Sequence, residues 1–136
     1  MTDQPNVLLI STDHWPASLL GAAGHATIET PTLDQLAANG VRFTNAYAEC
    51  PVCIPARRTL MTGTTPRIHG DRVFITDGLM PQLPTMAQNF RNAGYQAYAV
   101  GKLHVCPQRD RIGFDDVILA EEGRPQIGAI DDYELW

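Results

Sequence analysis

Cysteine is scarce in this chain: three among 136 residues, at positions 50, 53 and 106. So sparse and odd a set argues against a disulfide framework. Basic charge is also in short supply. Ten Lys and Arg against 15 Asp and Glu leave a formal net charge of −5, which argues against a nucleic-acid backbone as partner. No apolar run approaches the ~20 residues that cross a bilayer as a helix, so no membrane partner is expected. The opening Met1-Thr2-Asp3-Gln4-Pro5 lacks the basic and apolar regions of a secretory leader, and the expected location is cytoplasmic. Internal repeats and low-complexity tracts are absent too. The length suits one modest domain burying roughly two thirds of its unfolded surface.

What is present alternates between strand-like and helix-like segments. Val7, Leu8, Leu9 and Ile10 form a continuous apolar run over 6–12, as a strand buried on both faces of a parallel sheet would. A loop over 13–30 leads to a helix starting at Pro31, with Thr30 placed to cap it and Gly40 to end it. Leu33, Leu36 and Ala37 give that helix one apolar face. Residues 41–47 alternate like a strand, and a turn and a helix follow at about 53–62. Gly and Pro make 64–83 a loop with turns. Leu83 to Ala93 reads as a helix that Gly94 stops, 95–100 as a strand, 107–113 as a polar loop and 116–119 as a short strand. The acidic tail over 120–136 fits no element. This alternation predicts an α/β fold with a mainly parallel sheet flanked by helices. In such sheets ligands sit beyond the carboxyl ends of the strands. Asp13, Cys53 and Lys102 all fall just past a predicted strand end.

The densest chemistry lies in Cys53-Ile54-Pro55-Ala56-Arg57, continuing to Gly63. A side chain at the start of a helix meets free backbone N–H groups and a dipole that favours anions. Pro55 suits a first helical turn, and Gly63 suits its end. Arg57 can reach back as an always-charged donor toward an oxyanion. Other readings stand beside this one. Cys53 could be a buried thiol, or could pair with Cys50 as a C-x-x-C redox or zinc half-site. Asp13 could be a turn or capping residue. Arg57 and Lys102 could be solvated charges, and His14 and His104 ordinary loop histidines.

Cys53 to Arg57 resembles the C-x-P-x-R signature of the sulfatase family, within the alkaline-phosphatase-like superfamily. Further matches occur in the family's order. Asn6 to Asp13 resembles its first strand and metal-binding aspartate. Thr30 to Ala37 and Gly40 to Tyr47 resemble the helix and strand before the nucleophile. Thr62 to Gly70 resembles the segment after it. Gly94 to His104, ending Gly101-Lys102-Leu103-His104, resembles the second sulfatase signature, and Gly113-Phe114-Asp115 an element that follows. Three positions depart from the pattern: Ile54 is bulky, Ala97 replaces a hydroxyl residue, and His14 stands where many members carry a second aspartate.

The resemblance implies a sulfuric ester hydrolase acting on a small-molecule sulfate ester. Cys53 would be oxidised to formylglycine by a maturation enzyme, and its hydrated aldehyde would attack sulfur and later expel sulfate. Asp13 and the modified residue 53 would hold a divalent metal: calcium foremost, with Mn2+ or Mg2+ as alternatives. Arg57 would stabilise the nucleophile's oxygen, Lys102 would bind a sulfate oxygen, and His104 would accept a proton. His14 could contact a softer metal or hydrogen-bond a substrate oxygen. His25, His69 and Cys106 are read as structural or neutral.

A phosphonate or phosphate monoester hydrolase is the nearest alternative, since such relatives share the cysteine signature, although many lack the Gly-Lys-x-His run. The family's domain is longer than 136 residues, so residues 1–136 are expected to be its N-terminal part. The remaining metal ligands and a C-terminal subdomain would lie elsewhere. Taken alone, such a fragment is expected to be inactive, with an unpaired sheet edge prone to self-association.

Overall fold

The computed structural model describes residues 4–121. The opening Met1-Thr2-Asp3 and most of the acidic tail, 122–136, lie outside the described residues. The chain divides into two compact units, one running to Ala46 and the other beginning at Tyr47.

In the first unit, two 3-10 turns, Ala17–Leu19 and Gly21–Ala23, precede helix α1, Pro31–Asn39. Pro31 opens the helix, as expected of a residue with no N–H to lose. Thr30 does not cap it in the expected way, for no side-chain bond from Thr30 reaches the helix amides. Its hydroxyl instead donates to Asp34 Oδ1 at 2.8 Å and accepts from Gly21 N at 2.9 Å. Asp34 Oδ1 also accepts from Ala22 N at 2.7 Å. The preceding turn competes for the threonine and wins it. A Cβ at Gly21 would lie 2.5 Å from Asp34 Oδ2, so a larger residue there would push that carboxylate aside.

The apolar run over 6–12 is not a strand among the described residues, and neither is 41–47. Leu8 is 84% exposed and Phe43 80%. An apolar or alternating pattern supplies side chains suited to a sheet, but a strand also needs a neighbour for its backbone N–H and C=O groups. No ladder reaches either run.

The second unit holds helices α2 (Cys53–Thr62), α3 (Pro66–His69) and α4 (Met86–Asn92), and strands β1 (Tyr98–Gly101) and β2 (Asp116–Leu119). The α3 turn falls inside the stretch expected to be loop, its start set by Pro66. β1 and β2 pair in parallel, Tyr98 opposite Asp116 and Gly101 opposite Leu119. One face of this sheet packs inward through Ala99, Val117 and Leu119 against Met61 of α2 and Ala87 of α4. Tyr98, Val100 and Ile118 point away and are exposed. The described unit is thus α/β, with helices on one face of a parallel pair.

Parallel strands cannot be joined by a tight turn; they need a crossover of about a dozen residues or more. Residues 102–115 are that crossover. Its return is fixed at Gly113-Phe114-Asp115. Gly113 has φ +100°, and a Cβ there would come within 2.7 Å of Thr85 Oγ1. Thr85 caps α4 by accepting from Gln88 N, and donates to Ile112 O at 2.6 Å. Phe114 enters the core. Asp115 accepts from Ala97 N and pairs with Arg91 Nε, both at 2.8 Å. A buried arginine ties α2 to the segment after α3. Arg58 pairs with Asp71 at 2.5 Å and donates to Gly78 O. His69 bridges Thr59 Oγ1 and the Asp71 amide, the structural task expected of it.

Candidate active site

Cys53 is the first residue of α2, directly after the extended Val52. Ile54, Arg58 and Met61 recur at helical spacing and are buried with Pro55, so that face fixes the helix. Cys53 and Arg57 lie on the half-buried side. Gly63 ends the helix in the left-handed conformation at φ 65°, its N–H donating to Thr59 O. The Cys53 thiol therefore stands at the positive end of a ten-residue helix.

The crossover supplies the other half. Lys102 follows β1 immediately, and its Nζ donates to Cys53 Sγ at 3.7 Å. Arg57 reaches from α2 to the main-chain oxygen of Lys102. Helix and crossover are thereby joined twice, once through the lysine side chain and once through its backbone. Leu103 plugs into the core at 4% exposure. His104 takes a left-handed backbone, φ 57°, and its ring meets Phe74 edge-on, centroids 5.5 Å apart. Cys53, Arg57 and Lys102, singled out from sequence, are thus joined by contacts, and His104 lies two residues beyond Lys102 on the same crossover.

Asp13 and His14 belong to the first unit, where both are exposed and His14 has φ 55°. A carboxylate on an accessible loop is the donor type that hard divalent cations take, and the adjoining imidazole suits softer metals better. The donor chemistry therefore fits a divalent metal at Asp13. Cys50 does not act as a visible partner to Cys53; its thiol donates to Arg72 O at 3.3 Å, and all three cysteines are free.

Sequence reasoning missed Glu121, Phe74 and Arg58. Glu121 is 6% exposed, and its carboxylate accepts from the amides of Leu103 and His104 at 2.8 and 2.9 Å. The acidic pair Glu121-Glu122 directly after the apolar run 117–120 was the available signal. Phe74 carried none, being one apolar residue in a loop.

A cysteine at a helix start, touched by a lysine two residues ahead of a histidine, fits the resemblance seen in the motifs. The sulfatase family model matches residues 5–136. The chain belongs to the sulfatase family. It is 38% identical over 145 residues to an arylsulfatase of Clostridium perfringens, covering 98% of this chain and 30% of that protein. With an ulvan-active sulfatase of Formosa agariphila the identity is 39%, over 82% of this chain and 23% of that one. The crystal structure of a phosphonate monoester hydrolase of Agrobacterium radiobacter superposes with a TM-score of 0.77 at 33% identity, covering 90% of this chain and 27% of that one. The fold is therefore alkaline-phosphatase-like. The chain spans less than a third of the length of these sulfatases; the family generally uses a divalent metal and a formylglycine.

Proposed function

We propose that the protein carrying this segment hydrolyses sulfate monoesters, residues 1–136 serving as the nucleophile-bearing N-terminal part of its domain. The observation that supports this best is the 3.7 Å contact between Lys102 Nζ and Cys53 Sγ, braced by Arg57. The thiol marks the place of the reacting side chain. Formylglycine at position 53, made by a maturation enzyme, supplies a hydrated aldehyde as nucleophile, and a divalent cation, calcium foremost, held by Asp13 supplies Lewis acidity.

The chain's own residues divide the remaining work. Lys102 presents a compact positive charge where a sulfate oxygen must lie for attack at residue 53. Arg57 holds the lysine's backbone and adds fixed positive charge at the helix start. His104, on the same crossover, takes or returns a proton at the reacting oxygen of residue 53. His14, beside Asp13, is a candidate for a substrate oxygen.

A second reading is a phosphonate monoester hydrolase, favoured by the structural likeness to that enzyme. The Gly101-Lys102-Leu103-His104 run favours the sulfate ester. The full-length protein, co-produced with a maturation enzyme, is given an aryl sulfate and an aryl phosphonate monoester in parallel. Preferential sulfate turnover that Lys102→Ala abolishes is the expected result. Turnover of the phosphonate alone would transfer the assignment to the second reading.

A further inference from the structure

We infer that Glu121 is a positioning residue for the reaction, a carboxylate clamp that sets where Lys102 and His104 stand. This rests on the roles proposed above for those two residues. The clamp follows from the fold. β2 runs parallel to β1, and beyond the paired residues Ala120 N still donates to Gly101 O at 3.1 Å. The next residue, Glu121, is therefore delivered beside the start of the crossover. Its Oε1 accepts from Leu103 N at 2.8 Å and from His104 N at 2.9 Å, and Oε2 accepts from His104 N at 3.1 Å. One carboxylate thus holds two successive amides, and it is 6% exposed.

Burial of a carboxylate is costly unless its oxygens are satisfied. Bonds to an ionised acceptor are also shorter and about twice as strong as neutral ones. Glu121 thus holds firmly a segment that would otherwise relax. His104 has a left-handed backbone that non-glycine residues rarely adopt, so its ring direction depends on this hold. Lys102 is the residue just before the clamped pair, and its backbone is also gripped from the other side by Arg57. With the clamp released, lysine and histidine lose their shared register against residue 53.

The test uses Glu121→Ala and Glu121→Gln in the mature full-length enzyme, with Phe114→Leu, a core change at the opposite end of the crossover from the Leu103 and His104 amides, as control. Amide hydrogen exchange, which needs no substrate, reads the clamp itself. Leu103 and His104 amides are expected to be protected in the wild type, to lose protection in Glu121→Ala and to keep part of it in Glu121→Gln, which retains one acceptor oxygen. In turnover, kcat/KM is expected to fall about 10²-fold in Glu121→Ala, the scale of a misplacement of about 1 Å, and less in Glu121→Gln. KM for the ester and the inhibition constant of inorganic sulfate should rise together, because Lys102 is displaced. Mere destabilisation, as in Phe114→Leu, lowers the folded fraction and hence apparent kcat while leaving KM alone. If the wild type prefers a phosphonate monoester, the same comparison is made on that ester with phosphate as inhibitor, which separates failure of the reaction assignment from failure of the clamp. Unchanged protection at Leu103 and His104, or a KM equal to wild type in both variants, would overturn the inference. Should Glu121→Ala not fold, Glu121→Gln alone decides it by the same two readouts.

Discussion

Arg57 of the cysteine-bearing helix donates to the main-chain oxygen of Lys102, the residue whose ammonium touches Cys53. The two signatures of the sequence are thus one mechanical unit. The arginine's electrostatic task is joined by a positional one, since a planar guanidinium holds a carbonyl in a fixed direction. Lysine at position 57 would keep the charge and lose that geometry. Arg57→Lys is therefore expected to lower kcat/KM about 10-fold or more, measured on the mature full-length protein.

The cysteines are expected to separate cleanly. Cys53→Ala removes the proposed nucleophile and should reduce sulfate-ester turnover on the order of 10³-fold or more. Cys50 spends its thiol on Arg72 O, so Cys50→Ala should leave kcat and KM near wild type. Equal damage from both substitutions would restore the C-x-x-C reading and remove the present one.

Modification at position 53 is the most direct chemical check. Co-production with a maturation enzyme should convert the thiol to an aldehyde, a loss of about 18 Da in the peptide spanning residue 53. Without such an enzyme the peptide should carry plain cysteine. Full activity with a persistently unmodified Cys53 would sink the proposed chemistry.

The longer helices were legible because their signals are local, whereas the four-residue α3 was expected to be loop. Pro31 and Gly40 bracket α1, and Cys53 and Gly63 bracket α2 within the expected 53–62. β1 and β2 were found because they have each other. The runs at 6–12 and 41–47 were misread because strand formation is a property of pairs, and sequence pattern shows only one member. Of the site, Cys53, Arg57, Lys102 and His104 were legible through motif spacing. Glu121 was not, because its role arises from the parallel register that brings it back beside Leu103, 18 positions earlier in the chain. Nothing in the sequence separates Arg58 from its neighbour Arg57, yet helical geometry turns the two to different sides, Arg58 buried and Arg57 half-buried.

Arg58 supplies a stability prediction. It is 3% exposed and paired with Asp71 at 2.5 Å. Breaking a fully buried pair costs about 3–5 kcal/mol, and the partial exposure of Asp71 puts this one at the low end. Arg58→Met is expected to lose about 3 kcal/mol in urea denaturation, with KM unchanged. A loss indistinguishable from zero would show that Asp71 finds another partner.

Gly113 tests the return of the crossover. Alanine there must adopt φ +100° and place its Cβ 2.7 Å from Thr85 Oγ1 and 2.8 Å from Gln88 N. A side-chain tip could swing aside, but a backbone amide inside a helix cannot. Gly113→Ala should cost about 1–3 kcal/mol and weaken the cap of α4. Circular dichroism and thermal melting read both. A melting temperature equal to wild type would mean that the Gly113 turn shifts freely.

The last prediction concerns the 136 residues in isolation. Leu8 at 84%, Val41 at 80% and Phe43 at 80% exposure in the first unit, and Tyr98 and Val100 in the second, present apolar side chains to solvent. β1 and β2 form a two-stranded sheet among the described residues, and open strand edges recruit other chains. Self-association is therefore expected. Metal binding should be weak as well, since calcium takes about six to eight oxygens and Asp13 is the carboxylate singled out for it. Light scattering should show species larger than 14.9 kDa, and a calcium titration should give no affinity tighter than roughly millimolar, the weak end of the range for protein calcium sites. A monodisperse monomer binding calcium at micromolar concentration would show instead that the segment closes its own surface and builds its own metal site.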